Sequence, residues 1–381
     1  MELKIIGVSK TIGEKTILKD VNFSLHKGDA MALRGVNGSG KHNNWSLSTD
    51  SGENLFAPGK TPMENAQFLL FLTAVIKAVD ENQDLLRISV ASASNDHRLG
   101  AHEAPPAVIS IYLGDELESI LKSIKDGTPY NSKTRQKMSI GVGVLPPIPK
   151  DSTDRNRTSP FAFTGNRFEF RSVGSSLSIS GPNTTLDTIL AYSLKEYANE
   201  LEKSDNFEKD LQNLVKREIT AIVFDGNGYG GNWVKEAEKR GLLNLRTLPD
   251  AMEEYLKPKN IKLYNEMGVY SETELKSHYE IKLEKYVGIL NIEVETMLEM
   301  INKDILPATF KYMETVGKSA AEVRNLVPEA KCAAQSLLLK KLDDLAEKLS
   351  EKADALSEKH SEAKKCSSII KTAHAYADTV I

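Results

Sequence analysis

Arg167-Phe168-Glu169-Phe170-Arg171 sets one carboxylate between two guanidiniums, with aromatic residues at the alternate positions. That alternation is the period of a strand, which turns Arg167, Glu169 and Arg171 to one face. Taken alone, such a face is a salt-bridge ladder on a surface strand. A second grouping, Gly35-Val36-Asn37-Gly38-Ser39-Gly40-Lys41, has the G-x4-G-K spacing of a phosphate-binding loop. There, glycines let backbone N–H groups converge on phosphate oxygens, a lysine adds charge, and a following Ser or Thr reaches magnesium. The following residue here is His42, so the last requirement fails. Glu293-Val294-Glu295 is an E-x-E arrangement, which on a strand puts both carboxylates on one face. It falls in a helical pattern, where positions two apart point roughly 200° apart and cannot chelate one ion. Asp225-Gly226-Asn227-Gly228-Tyr229-Gly230, with Glu236 at position 12, resembles a calcium loop. Tyr229 replaces a ligand there, Asn232 replaces the usual apolar residue, and Ile222-Val223-Phe224 ahead of it reads as a strand, so a tight turn is the better reading.

These residues need elements to hold them. Residues 1–36 alternate as strands, with Leu3, Ile5 and Val8, then Ile17, Val21, Phe23 and Leu25, then Met31 and Leu33, and a turn at Lys27-Gly28-Asp29. Between His42 and about Ser180, β-like runs at 86–91, 107–113 and 168–171 sit among loops rich in Pro, Ser, Asn and Gly, a usual place for chemistry. The apolar run 68–79, interrupted by Thr73 and Lys77, is too short to cross a bilayer and reads as a buried helix. From Thr185 the period becomes helical. Leu186, Leu190, Leu194, Tyr197 and Leu201 share a face, with Asn183 or Thr184 as the expected cap. After a glycine-rich break at 224–232 the helical pattern runs nearly to the end. Leu338, Leu342, Leu345, Leu349 and Leu356 follow a heptad with Lys352 at a core position, as in a helical hairpin packed on itself or on a partner.

The composition is that of a globular chain of two domains or more: 381 residues, 40% hydrophobic and 27% charged. A net charge of -4 supplies no basic field for nucleic acid or an anionic membrane. Met1 is followed by Glu2 and Lys4 with no apolar segment next, so no secretory signal is expected, and a cytoplasmic setting is. The two cysteines, Cys332 and Cys366, make no disulfide framework and read as helix-packing residues.

The first 41 residues resemble the start of an ABC transporter ATPase. The phrases are Val8-Ser9-Lys10, Thr16-Ile17-Leu18-Lys19-Asp20-Val21-Asn22-Phe23-Ser24-Leu25, Lys27-Gly28-Asp29 and Ala32-Leu33-Arg34-Gly35. No LSGGQ-like signature, apolar run ending in Asp-Glu or switch histidine follows, and hydrolysis needs those parts. Read forward, the same loop becomes Asn37-Gly38-Ser39-Gly40-Lys41-His42-Asn43-Asn44-Trp45-Ser46, which is similar to the N-G-S-G-x-H segment of glutamine synthetases in its type III form. Further matches follow in order: Leu47-Ser48-Thr49-Asp50; Pro58-Gly59-Lys60-Thr61-Pro62-Met63-Glu64-Asn65; Ser94-Asn95-Asp96-His97-Arg98-Leu99-Gly100-Ala101-His102-Glu103-Ala104-Pro105-Pro106; Asp154-Arg155-Asn156-Arg157-Thr158-Ser159-Pro160-Phe161; Gly165 to Arg171; and Gly226-Asn227-Gly228-Tyr229.

The resemblance implies ATP-dependent ligation of ammonia to glutamate through γ-glutamyl phosphate, with Mg²⁺ or Mn²⁺ offsetting phosphate charge. It implies that His42 and Glu169 are metal ligands, a mixed N/O pair suited to either ion. Arg157 would face the transferring phosphate, and Glu103 would be the flap carboxylate that takes a proton from ammonium. Arg98 and Arg171 would hold glutamate, and Gly38 would let backbone approach it. Arg167 would contact ATP, as would Asn44 and Ser46. His102 stands where an Asn is expected. The family also needs an N-terminal β-grasp domain and first barrel strands carrying E-x-E. Neither is expected in residues 1–36, so the chain reads as truncated and impaired, with an ABC-type start joined to a synthetase-type remainder inside the shared glycine string. The expected fold class is α+β: a short β segment at 1–36, a partial glutamine synthetase catalytic barrel at 37–218, and a mainly helical C-terminal region at 219–381. Expected partners are glutamate, ammonia and ATP, with copies of the chain itself as in the family, no nucleic acid, and no membrane unless the ABC-like reading holds. A transporter ATP-binding subunit or an inactive fusion fragment is the alternative.

Overall fold

The computed structural model describes residues 2–12, 15–26, 40–100, 104–128, 130, 137–138, 148–149, 159–219, 221–228 and 232–381. The chain divides into two compact units, Met1–Asn37 and Gly38–Ile381. The first is an antiparallel ladder of β1 (Glu2–Ile12) and β2 (Lys15–His26), in which Leu3 pairs with Leu25 and Ile5 with Phe23. These are the strands expected there. The third run, with Met31 and Leu33, and the turn at 27–29 lie outside the described residues.

The second unit is mixed α and β. Its sheet has the order β3 (Gly40–Trp45), β8 (Phe168–Gly174), β7 (Phe161–Phe163), β4 (Ile111–Tyr112), antiparallel except for the parallel β4–β7 pair. A two-residue pair, β5 (Lys137–Met138) and β6 (Ile148–Pro149), stands apart. Among the described residues the four-stranded sheet is open and does not close into a barrel.

Helices cover the sheet. α1 (Ala66–Glu81), capped by the Asn65 side chain at Phe68 N (3.0 Å), is the apolar run read as a buried helix. Its two interruptions are satisfied: Thr73 Oγ1 donates to the Leu69 carbonyl at 2.7 Å, and Lys77 pairs with Glu81 and with Glu196. The β-like run at 86–91 is instead mostly α2 (Gln83–Ser89), because a short apolar run buried all round carries no period that separates strand from helix. Of the run at 107–113 only β4 is a strand. α3 (Ala93–Arg98) and α4 (Asp115–Asp126) follow. α5 (Ser180–Leu201) begins before the expected cap: Asn183 and Thr184 are already helical, since the Asn183 amide is used to hold β3. Leu186, Leu190 and Tyr197 are buried as its spacing requires.

α6 (Phe207–Glu218), α7 (Trp233–Lys239), α8 (Leu248–Tyr255) and α9 (Pro258–Glu266) lead to a long rod. The rod is α10 (Glu272–Met300), a π-helical turn (Ile301–Ile305) and α11 (Leu306–Leu326). Pro307 offers no N–H to the carbonyl four residues back and its ring would crowd that oxygen, so a wider turn precedes it. Ile301 and Leu306, five residues apart, then share one cluster with Ala346 and Ala353 of α12 (Ala333–Ala363). The heptad of α12 therefore runs through Ala346 and Ala353. The expected register through Leu345 and Lys352 is off by one residue: Leu345 is 52% exposed and Lys352 is exposed. Small residues let the helices approach closely, which a leucine count cannot reveal. α13 (Ile369–Val380) closes on α10 and α8. One hydrophobic core runs continuously from Trp45 to Ala377, across residues 218 and 219.

Candidate functional site

β3 lies antiparallel to β8, with Trp45 opposite Phe168, Asn44 opposite Glu169, Asn43 opposite Phe170 and Lys41 opposite Val173. Between the last two pairs β3 contributes His42 alone while β8 contributes Arg171 and Ser172, so β8 bulges there. The extra residue changes the phase of the strand: Phe168, Phe170 and Val173 are all fully buried in the core. Unbroken alternation would carry Val173 to the face of Glu169 and Arg171.

On that face His42 Nδ1 lies 2.5 Å from Glu169 Oε1, and Arg171 Nε donates to Glu169 Oε2 at 3.1 Å. Each carboxylate oxygen thus has its own partner. The imidazole is about half exposed (54%) and the carboxylate mostly covered. Asn44 is exposed directly across from Glu169. At the end of β3, Ser46 Oγ is 3.2 Å from both Asn54 Oδ1 and the Asn166 carbonyl. Arg167 is exposed in the β7–β8 turn, where its carbonyl accepts from Thr164 N at 2.8 Å and Gly165 takes the positive φ (95°) the turn needs.

The opposite face of β3 is anchored. Asn43 Nδ2 donates to Asn183 Oδ1 at 2.7 Å, Trp45 Nε1 to Asp187 Oδ1 at 2.9 Å, and Lys41 Nζ to the Leu177 carbonyl. Phe161 stacks on Phe168 with centroids 4.8 Å apart, and Trp45 and Phe56 pack on the same ring. α3 supports the bulge: Asn95 Nδ2 donates to Ser172 O at 2.7 Å, and Arg98 Nη2 to Arg171 O at 3.0 Å. A Cβ at Gly40 would sit 2.0 Å from Arg98 Nη2, so any larger residue there would have to displace this guanidinium from its hydrogen bonds.

The structure therefore brings together His42, Asn44, Glu169 and Arg171, with Ser46 and Arg167 at one end of the same hairpin. Arg98 is buried, with two of its N–H groups on Asn95 Oδ1 and the Arg171 carbonyl. Gly38, Glu103 and Arg157 lie outside the described residues. Gly40 and Lys41 open a strand, whereas a phosphate loop hands its lysine to a helix, so the phosphate-loop reading does not hold for them. Glu293 and Glu295 are on α10 and diverge, Glu293 to His97 (3.5 Å) and Glu295 to Lys364 (2.9 Å). In the loop at 225–236, Asp225 Oδ1 accepts from Leu113 N at 3.1 Å and Glu236 pairs with Arg240, as in the tight turn expected there. Burial, with Glu118 and Asp115 nearby, pushes the Asp225 carboxyl up to about 6. Among the described residues no set of three or more His, Cys, Asp and Glu gathers around one point. A cation on this face would draw two ligands, His42 and Glu169, from the described residues, donor types that Mn²⁺ and Mg²⁺ accept alongside phosphate oxygens and water.

Residues 208–324, from α6 into α11, match the glutamine synthetase C-terminal domain. A type-3 glutamine synthetase of Dictyostelium discoideum is 47% identical over 308 residues, 79% of this chain and 42% of the relative. Glutamine synthetases of Butyrivibrio fibrisolvens and Bacteroides fragilis are 42% and 38% identical over 92% and 91% of this chain, and 50% and 49% of their own lengths. The relatives are glutamine synthetases. Together with the C-terminal domain they support the type III glutamine synthetase family for this chain, which spans about half the length of the curated relatives it matches. No helix among the described residues is long and apolar enough to cross a membrane.

Sequence reasoning did not find the buried frame behind this family's motif. Arg87 and Asp96, at 1% and 0% side-chain exposure, form an ion pair of 2.8 Å. Arg87 also donates to the Leu245 and Arg246 carbonyls, and Asp96 Oδ2 accepts from Leu248 N at 2.6 Å. Burial raises the Asp96 carboxyl despite Arg87. The only signal was a charged residue inside an apolar run.

Proposed function

We propose that this chain carries the ATP- and glutamate-binding part of a glutamine synthetase site, for ATP-dependent ligation of ammonia to L-glutamate. The observation that carries the reading is the His42–Glu169–Arg171 corner, one imidazole, one carboxylate and one guanidinium on one face of the β3–β8 pair, in a chain whose relatives are glutamine synthetases. Glutamate's γ-carboxylate is a poor electrophile, and its phosphorylation by ATP makes ammonia's attack feasible. Bound Mg²⁺ or Mn²⁺ offsets charge on the phosphate oxygens. His42 and Glu169 would hold that cation. Arg171 would take glutamate's carboxylate while fixing Glu169, with Arg98 as the second arginine of the pair and Gly38 as a close backbone approach. Asn44, Ser46 and Arg167 line the nucleotide side, Arg157 meets the transferring phosphoryl group, and Glu103 accepts the ammonium proton. Assembly with copies of itself and a cytoplasmic setting belong to the same reading.

Two ligands from the described residues hold a divalent ion weakly, and on that footing the chain is expected to bind Mn²⁺·ATP while turning over little substrate. Electron paramagnetic resonance of free Mn²⁺, titrated with protein and ATP, tests binding, and a γ-glutamyl transfer assay tests turnover. Mn²⁺·ATP affinity that is absent, or unaffected by His42→Ala, would overturn the reading.

A further inference from the structure

We propose that Asn95 is a positioning residue for the His42–Glu169–Arg171 corner, acting through the bulge of β8; the importance of that corner rests on the glutamine synthetase reading. A bulge takes backbone groups out of the ladder, and buried carbonyls without partners are costly. The two residues that face His42 across this bulge are Arg171 and Ser172. Their carbonyls are taken by neighbouring side chains of α3, Ser172 O by Asn95 Nδ2 and Arg171 O by Arg98 Nη2. Asn95 is the hub. Its other Nδ2 hydrogen goes to Val90 O at 2.7 Å, which ties the bulge to the end of α2, and its Oδ1 accepts from Arg98 Nη1 at 3.1 Å, which aims the second donor. The Ser92 hydroxyl in turn accepts from Asn95 N at 3.2 Å at the cap of α3.

The amide is the side chain that fits. It alone offers two donors and one acceptor in a plane, and all three are used. Aspartate in its place would set a carboxylate oxygen against two carbonyl oxygens. Serine is too short to reach both. Either change releases the Ser172 carbonyl and leaves the Arg98 donor to Arg171 O unaimed, so the bulge is no longer pinned and the backbone that sets Arg171 beside Glu169 and opposite His42 shifts.

The test is spectroscopic and independent of bound metal. In the full chain, the ring resonances of His42 report its contact with Glu169, so Glu169→Gln should move them. In Asn95→Asp and in Asn95→Ser that response should shrink to half or less. Asn260→Ala, a fully buried amide elsewhere whose Nδ2 bonds Asp84 and the Glu254 carbonyl, serves as the destabilised control and should keep the full response. An undiminished response in either Asn95 variant overturns the proposal. Mn²⁺ added to the wild-type chain then reads the other assignment separately. Broadening of His42 supports the ligand role, and its absence defeats that role while leaving the positioning role of Asn95 decided by the variants alone.

Discussion

His42 reaches Glu169 diagonally: the residue paired with Glu169 across the ladder is Asn44, yet the imidazole Nδ1 of His42 stands 2.5 Å from Oε1. Arg171 comes to the other carboxylate oxygen from the same strand, two residues on. The carboxylate is thus oriented by a neighbour on each side.

Glu169→Gln keeps the shape and removes the charge. It is expected to weaken Mn²⁺·ATP binding by at least about 10–100-fold, the range seen when groups supporting a metal ligand are lost. Glu293→Gln and Glu295→Gln, whose carboxylates diverge to His97 and Lys364, should leave that affinity unchanged. Titration of free Mn²⁺ by electron paramagnetic resonance checks all three.

Asp96→Asn breaks a fully buried ion pair and leaves the Arg87 guanidinium uncompensated. The cost should be about 3–5 kcal/mol of unfolding free energy, read as a lower urea midpoint with little change in slope. A loss below about 1 kcal/mol would mean that the Leu245 and Arg246 carbonyls suffice for Arg87.

Asp225 gives a pH dependence. Its native carboxyl is raised from 3.8 to about 6, so between those values the folded protein holds a proton that the unfolded chain has released. Stability from this group therefore falls as pH rises through that window. Asp225→Asn, which can still accept from Leu113 N, should gain on wild type as pH climbs from about 4 to about 6.5. A tenfold change in proton affinity is worth about 1.4 kcal/mol, so with solvent screening the gain should level off near about 1–2 kcal/mol. Urea denaturation at a series of pH values measures it, and a constant difference would count against the assignment.

The reach of the sequence varied by element. The alternation around Glu169 was legible because Phe168 and Phe170 mark the core face of a strand. The bulge was not, because a phase change of one residue at Arg171 and Ser172 leaves no composition signal. In α12 the leucines drew the heptad onto Leu345, while the seam follows Ala346 and Ala353, whose value lies in being small. The run at 86–91 reads as β-like yet is mostly helical, and for a related reason the sequence does not separate the two: residues buried on every side carry no periodicity.

That seam supplies a stability test. Ala346→Leu and Ala353→Leu should each cost about 1–3 kcal/mol by overpacking, whereas Leu345→Ser and Lys352→Ala should stay within about 0.5 kcal/mol of wild type. Thermal unfolding of the four variants decides between the two registers, and the reverse order would restore the leucine seam.

The π-helical turn at Ile301–Ile305 also bears on how this rod tolerates changes in length. A π-turn closes its hydrogen bonds one residue later than an α-turn, so it behaves as an α-helix that has swallowed a single inserted residue without rotating the helix beyond it. Deleting one residue within 302–305, together with Pro307→Ala, would leave a plain α-helix in which the cluster partners Ile301 and Leu306, now five apart, become four apart. They would still face Ala346 and Ala353. The same deletion placed in α11 has no such slack and would turn everything beyond it by about 100°, carrying its inner face away from α12.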